Sequence, residues 1–344
     1  MKISICIPQY NRIQFLLKNL QIIARQTYSD IEVVVSDDCS TDDTEAKMTA
    51  LLGSYRYKLI YHRFTTNQGY DRNLRKSIEL ASGEYVIVVG NDDTINDAYD
   101  LGILVDFLLA NNKPEIGFAN FIEEGSSVKF KRANITSVLG TGREIALNYY
   151  SCFSFVGGIL FRRDKFLEFN TDRYDGSIYS QIYLATFMVS KGCRLFSISE
   201  EMVIKDIQVE DVQRNSYRDT LIRKWKDYRK SDGGLPSVIH VLVSAMKDAN
   251  VDSQQIIYRI FRKIYFSTLP FWVLDYKSNK AFPNAVSIIH GMYPPSVGDY
   301  HLLSFFNRVK IIFLYLFMSI GALLFPVFVF RKLKGTIYNL IKKR

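Results

Sequence analysis

A chain of 344 residues, 48% hydrophobic and 23% charged, exceeds one ordinary domain of roughly 100–200 residues and can build a large core, which excludes wholesale disorder. Its four cysteines (Cys6, Cys39, Cys152, Cys193) and four histidines lie far apart, so neither a disulfide framework nor a His/Cys metal cluster is expected, and any metal would be held by carboxylates. The net charge of +9 is unevenly spread: residues 1–205 hold 23 Lys and Arg against 25 Asp and Glu, and residues 206–344 hold 21 against 10. The C-terminal part is therefore expected to meet an anionic surface.

Ile3–Ile7 is an apolar run stopped after five residues by Pro8. That is too short for a secretion signal and suits a buried first strand, so the chain is expected to stay in the cytosol. Further strand-like runs lie at Ile31–Ser36, Lys58–His62, Tyr85–Val89 and Ile116–Ile122. Helical patterns separate them at residues 13–26, 41–52, 70–81 and 97–111. This alternation predicts βαβ units, hence an α/β fold with a mostly parallel sheet flanked by helices. Ligands of such sheets bind beyond the C-terminal strand ends, which singles out the loops at 8–12, 37–43 and 90–94. Strand-like runs at 156–161 and 194–198 surround a helix near 178–191, and beyond 205 the texture turns helical and basic. The expected division is an α/β domain over 1–205, a basic helical region over 206–300, and an apolar segment with a basic tail over 301–344. Gly233–Pro236 reads as a hinge.

The first strand runs into Pro8-Gln9-Tyr10-Asn11-Arg12, the second into Ser36-Asp37-Asp38-Cys39-Ser40-Thr41-Asp42, the fourth into Gly90-Asn91-Asp92-Asp93. Acids at the ends of two strands of one parallel sheet converge on one crevice, and paired carboxylates repel unless a cation or donor holds them. Oxygen ligands suit Mg²⁺ or Mn²⁺, and Mg²⁺ typically takes one or two carboxylates plus substrate phosphates. The competing reading is helix capping, by Ser40, Thr41 and Asp42 in one loop and by Thr94 and Asn96 in the other. No G-x-G-x-x-G follows the first strand and no Walker loop occurs, which disfavours dinucleotide and P-loop chemistry. Gly157-Gly158 suggests a close backbone approach. His62, His240, His290 and His301 read as structural.

The order of the pieces is informative: strand–P-x-Y-N, strand–D-D-x-S-T-D, Asn67-Gln68-Gly69 with Arg72-Asn73, Ala81-x-Gly83-Glu84-Tyr85, strand, Asp92-Asp93. This series resembles the family-2 glycosyltransferases of the GT-A fold, closely over residues 1–125 and loosely over 150–205. The opening Ile3–Pro8 is similar to the bacterial branch that builds surface polysaccharides, abequosyltransferase-like enzymes included. The resemblance implies a nucleotide-sugar site in the first loops that includes Pro8, with Tyr10 lying against the base, stacking being typically worth about 1–3 kcal/mol. It implies that Asp38, with Asp37 as second choice, accepts a ring N–H of the base. It implies that Arg12 and Arg72 approach the nucleotide or its phosphates, for which a guanidinium is suited. It further implies that Asp92 faces the sugar or ribose, and that Asp93 with Asp92 carries Mn²⁺ or Mg²⁺ against the diphosphate.

Two departures from that pattern stand out. Gly90 replaces the first acid of the family's D-x-D signature. An inverting transferase also needs a base for the acceptor hydroxyl, and the family's E-D pair reads Ser180-Gln181 here. Asp175, in the Tyr174-Asp175-Gly176 turn, is the first substitute, followed by Glu210 and Asp211.

Ile311–Phe330 holds 20 residues without a charge, just enough to cross a bilayer core of roughly 30 Å. Basic residues flank both ends: Arg308 and Lys310 before, Arg331, Lys332, Lys334, Lys342, Lys343 and Arg344 after. A span would export the second group against the positive-inside tendency. A monotopic helix with both flanks on the cytosolic leaflet is the preferred reading. Two upstream stretches share a basic amphipathic character, Arg214–Lys230 and Ile256–Ile264. The expectation is thus a metal-dependent, inverting glycosyltransferase. It would move a sugar from a nucleotide-diphosphate donor to a lipid-linked saccharide, in O-antigen, capsule or other surface-polysaccharide synthesis. It would act at the cytoplasmic face of an anionic inner membrane, with no nucleic-acid partner. A catalytically weakened relative, serving as a binding subunit of a polysaccharide-synthesis complex, is the second reading.

Overall fold

The structure, a computed structural model, describes residues 1–125, 129–210, 212 and 234–342. The expected alternation forms as β1 (Ile3–Gln9), α1 (Ile13–Ile23), β2 (Ile31–Asp37), α2 (Thr44–Leu51), β3 (Lys58–Arg63), α3 (Tyr70–Glu79), β4 (Tyr85–Val88), β5 (Thr94–Ile95), α4 (Asp100–Ala110) and β6 (Ile116–Glu123). All seven residues of β2 are buried, as its valine-rich run requires of a parallel strand covered on both faces. Helix α1 buries Ile13, Leu16, Leu20 and Ile23, the spacing of one helical face laid on the sheet.

Strands β3, β2, β1 and β4 lie side by side and parallel. Gln9 at the end of β1 is opposite Asp37 at the end of β2, and its Oε1 accepts the side-chain N–H of Asn91 beyond β4 at 2.9 Å. The three acidic or aromatic loops therefore open on one edge. With strands about 4.8 Å apart, β2 and β4 are only about 10 Å from each other across β1.

The remaining strands are β7 (Lys129–Phe130), β8 (Ser137–Gly140), β9 (Ile159–Arg162) and β10 (Leu195–Lys205), with helices α5 (Arg143–Tyr149), α6 (Arg163–Phe169) and α7 (Ser180–Ser190). Strand β9 is antiparallel between β4 and β6, and β10 is parallel to β6 but antiparallel to β5 and β8. Among the described residues the sheet order is β3-β2-β1-β4-β9-β6-β10-β5. The parallel half is the one expected, and antiparallel ladders extend it into a mixed sheet.

Helices α8 (Leu235–Asp248), α9 (Gln254–Lys263), α10 (Leu269–Ser278), α11 (Phe282–Gly291), α12 (Phe305–Leu324) and α13 (Val327–Lys342) complete the described chain. One apolar core runs unbroken from Cys6, Val88 and Phe118 in the sheet to Ile239, Phe261 and Ile311 in these helices. The change of texture at residue 205 is therefore not a change of core. Asp248 at the end of α8 accepts from Arg173 and from the hydroxyls of Tyr174 and Tyr183 (3.2, 3.2 and 2.8 Å), tying helix to α/β body.

Two expectations need correction here. The amphipathic stretch 256–264 does not face outward: Ile256, Ile257, Ile260 and Phe261 are buried. Its basic edge serves the protein, Arg259 pairing with Glu144 and Lys263 donating to the carbonyl of Leu147 at 3.0 Å. Of the supposed hinge, Leu235 and Pro236 are buried in the first turn of α8, where proline is favoured. The basic stretch Arg214–Lys230, together with Asp211, Gly233, Lys343 and Arg344, lies outside the described residues.

The uncharged run 311–330 is divided. Pro326 disfavours a helical Phe325, so α12 stops at Leu324 and α13 begins beyond the break. Helix α12 buries Ile311, Tyr315, Ser319 and Ala322 against the body, and its other face exposes Phe306, Phe313, Leu316, Phe317, Ile320 and Leu324. The Lys277 ammonium donates to the carbonyls of Ala322, Leu323 and Phe325 (2.8, 2.6 and 3.0 Å), satisfying the orphan acceptors of the helix end.

Candidate active site

The second loop is built around two acids with different tasks. Asp37 is fully buried; Oδ1 accepts from the backbone and hydroxyl of Ser40 (2.9 and 2.5 Å), and Oδ2 from the Tyr61 hydroxyl at 2.6 Å. It braces the loop and has no face turned to a ligand. Asp38 accepts the backbone N–H of Gln68 at 2.6 Å and of Gly69 at 2.9 Å, one on each oxygen. Gly69 has φ 85°, the left-handed region that favours glycine. Asn67-Gln68-Gly69 is thus a donor pair that fixes Asp38. Burial raises the Asp38 pKa, and the two N–H groups work against that rise. Each oxygen keeps a lone pair for a third donor.

Tyr10 stands beside this loop with its side chain exposed, as a stacking platform must be. The first loop is braced to the second: the Asn11 N–H donates to Ser40 Oγ, and the Thr41 N–H to Asn11 Oδ1, both at 2.8 Å. Asn11 and Arg12 are both left-handed (φ 54° and 61°), a conformation these non-glycine residues hold only where surroundings enforce it. It directs the Arg12 guanidinium to Asp92, Nη1 lying 2.6 Å from Oδ2. Arg12 therefore lies with the acidic turn. Arg72 does not: its Nη1 is held by both oxygens of Glu79, at 2.9 and 3.1 Å, in an ion-pair network on α3.

The acidic turn after β4 is closed by the end of β10. The Ile207 N–H donates to the Asp92 carbonyl at 2.8 Å, and the Asp206 N–H to Asp93 Oδ1 at 3.1 Å. Asp93 is buried, and burial, then the neighbouring Asp92 charge, raise its pKa well above the usual carboxylate range. Its Oδ2 sits in a notch between two glycines. A Cβ on Gly90 would lie 2.6 Å from that oxygen, and one on Gly157 would lie 3.0 Å away. Gly90 is thus the residue that the position of Asp93 requires, and the close approach expected of Gly157 is to the Phe155 ring, 2.8 Å from a Cβ placed there, and next to this carboxylate. Among the described residues no group of three His, Cys, Asp or Glu side chains converges. A buried carboxylate with one oxygen between two glycines and a second acid beside it does fit a divalent ion that takes its remaining ligands from phosphates and water. Asp93, with Asp92, would hold it.

Arg132 supports this region, and nothing in its sequence context marks it. Its buried guanidinium donates to the carbonyls of Ala119, Cys152, Phe155 and Gly157 (2.5–2.9 Å), and burial lowers its pKa to about 10. It fixes the segment that carries Gly157 against Asp93.

Asp175, in the segment before α7, is held by Arg75 through two hydrogen bonds, Nε–Oδ1 2.9 Å and Nη2–Oδ2 2.5 Å. Both oxygens of Asp175 are thus engaged by one guanidinium, which argues against its role as the base. Glu210 is exposed. Ser180 and Gln181, at the position of the missing E-D pair, open α7 and are buried. The carboxylate found at that helix start comes from α3: Asp71 accepts the N–H groups of Ile178 at 2.7 Å and Ser180 at 3.2 Å. It caps orphan donors and, being buried with both oxygens engaged, acts as a brace.

Residues 4–169 match the family described as Glycosyl transferase family 2. The chain is 30% identical over 224 residues to the abequosyltransferase RfbV of Salmonella typhimurium, covering 59% of this chain and 66% of that protein. It is 32% identical over 94 residues to a Campylobacter jejuni GalNAc(5)-diNAcBac-PP-undecaprenol beta-1,3-glucosyltransferase, covering 27% of this chain and 30% of that protein. The chain thus spans just under two thirds of the first relative and under one third of the second. In fold it is similar to residues 1–349 of TarS from Staphylococcus aureus in complex with UDP-GlcNAc, with a TM-score of 0.63 at 18% identity over 93% of this chain and 91% of that one.

Proposed function

The chain belongs to glycosyl transferase family 2 through residues 4–169, and on that premise we propose that it transfers a sugar from a nucleoside-diphosphate donor to a lipid-linked saccharide during surface-polysaccharide synthesis. The observation that carries this reading is the edge formed by β2, β1 and β4. Tyr10, Asp38, Arg12 and Asp93 are all delivered there by the ends of neighbouring parallel strands. A Salmonella relative named for sugar transfer and a Campylobacter relative named for an undecaprenol-linked acceptor support the substrate classes.

In this reading the base stacks on Tyr10, and the rigid Asp38 carboxylate accepts a ring N–H, for which it is preorganised by Gln68 and Gly69. Arg12 moves from Asp92 to a phosphate oxygen when the diphosphate arrives, exchanging one oxyanion partner for another. A divalent ion on Asp93 and Asp92 would supply neutralisation of the charge that builds on the departing diphosphate. The reaction is read as inverting on the family's precedent, with the acceptor's proton taken by a group other than Asp175. A panel of UDP-, GDP-, dTDP- and CDP-sugars with Mn²⁺ tests the reading. The wild type should release nucleoside diphosphate from at least one, Asp93→Asn should not, and silence of the wild type with all of them would count for the binding-subunit alternative.

The same proposal places the chain at the cytoplasmic face of an anionic membrane through the outer face of α12. That face is apolar, its inner face is packed on the protein, and its end is clamped by Lys277, which suits a helix lying in the interface better than one crossing it. Lys310, Arg331 and Lys332 are exposed near the two ends of the apolar stretch, where anionic headgroups would lie. Flotation with vesicles containing phosphatidylglycerol should carry the wild type and leave Phe313→Asp/Phe317→Asp behind. Equal flotation of both would exclude this face as the anchor.

A further inference from the structure

A polar cleft of about 620 Å³ lies between α3 and the segment before α7. Its rim is formed by Gln68, Arg72, Thr171 and Asp172, and its floor by Arg75 and Asp175. None of Tyr10, Asp92 and Asp93 lines it, so it is separate from the metal and base positions. It nevertheless shares a wall with the donor site, because Gln68, whose backbone N–H fixes Asp38, also faces the cleft.

The charges of the floor are spent internally. Arg75 pairs with Asp175, and also reaches Glu79 Oε1 and Asn170 Oδ1, both at 3.3 Å. Arg72 pairs with Glu79, whose Oε1 also accepts from the Asn170 amide at 2.9 Å. Two guanidinium groups thus face two carboxylates, and Asp172 adds a further, exposed negative charge. Among the described residues an anionic ligand finds no unspent cation lining the cleft. A hydrocarbon ligand would strip water from the exposed Asp172 carboxylate and the exposed Gln68 amide at the rim, at a cost of about 1–3 kcal/mol each. A ligand rich in hydroxyls can both donate and accept at such a rim, and the volume lies within the roughly 300–1,000 Å³ of small-molecule sites.

We infer that this cleft binds an uncharged saccharide unit of the acceptor, at a distance from the hydroxyl that receives the new sugar. The inference rests on the glycosyltransferase reading. Asp175 becomes a positioning residue, since its bond to Arg75 holds the 170–175 wall in place.

Saturation-transfer NMR with mannobiose and galactobiose as neutral probes, and a sulfated disaccharide as the charged one, tests it. At least one neutral disaccharide should bind the wild type in preference to the sulfated one. Thr171→Arg, which fills the cleft, and Asp172→Ala, which removes an acceptor group, should each weaken that binding at least tenfold at unchanged Tm. Binding equal in wild type and both variants, preference for the sulfated probe, or no neutral binding at all would overturn the inference. Release of nucleoside diphosphate by the wild type, followed in parallel, keeps the two readings apart. Release without disaccharide binding refutes the cleft alone, and disaccharide binding without release refutes the transferase reading.

Discussion

Restoring the acid that the family carries at position 90 should damage the site. A Cβ at Gly90 would lie 2.6 Å from Asp93 Oδ2, where ordinary van der Waals contact begins at 3.4 Å. In Gly90→Ala the Asp93 carboxylate must therefore retreat by about 0.8 Å, since Gly157 closes the notch on another side at 3.0 Å. A misplacement of roughly 1 Å at a reacting centre can lower the rate about 100-fold, so kcat/KM for transfer should fall by about tenfold to 100-fold. Gly90→Asp adds a third negative charge beside Asp92 and Asp93 and should be worse than alanine, despite completing the signature. The assay is donor turnover against Mn²⁺ concentration. Gly102→Ala serves as the control: its Cβ meets nothing within 4 Å, and alanine inside α4 should leave turnover unchanged. Wild-type turnover and metal dependence in Gly90→Ala would refute the assignment of Asp93.

Asp93→Asn should raise the Tm of the metal-free protein by a few degrees. The native pKa of Asp93 lies above its unfolded value, so its contribution to stability is present at low pH and lost as pH rises through the native pKa. Asparagine removes that loss while still accepting the Asp206 N–H, and scanning calorimetry at pH 5 and pH 8 should show a larger gain at pH 8. For the same reason the affinity of the wild type for Mn²⁺, measured by titration calorimetry, should fall as pH is lowered, because the proton competes for Asp93. Tyr10→Ala should raise the donor KM by about fivefold to 150-fold, the equivalent of about 1–3 kcal/mol of stacking, with acceptor KM unchanged in steady-state kinetics. Arg132→Met should destabilise by about 3 kcal/mol or more in urea denaturation, since four buried carbonyls lose their donors.

The parallel half of the sheet was legible because apolar strands and amphipathic helices of ordinary length alternate there, and each period is long enough to count. The two-residue strands β5 and β7 carry no period at all. The stretch 256–264 shows why an amphipathic pattern does not tell what covers the apolar face. The same isoleucines that would suit a lipid surface are packed on the core of this protein. At the site, strand-end position singled out the two acidic loops and the family resemblance pointed to Tyr10, Asp38 and Asp93, which the strand ends bring to one edge. Residue types could not show that Arg72 is spent on Glu79 or Asp175 on Arg75, because those pairings depend on how α3 faces the segment before α7. The glycine at position 90 looked like a lost ligand, and only the geometry shows it making room for the Asp93 carboxylate. Asp71 and Arg132 left no sequence signal, since their partners are backbone groups from distant segments.

The most direct test of the central claim is anomalous diffraction from crystals grown with Mn²⁺ and a nucleoside diphosphate. A manganese peak within bonding distance of Asp93 Oδ2 and the diphosphate, with the base against Tyr10, is the predicted result. A nucleotide bound at another edge of the sheet, or a manganese ion that leaves Asp93 untouched, would contradict it.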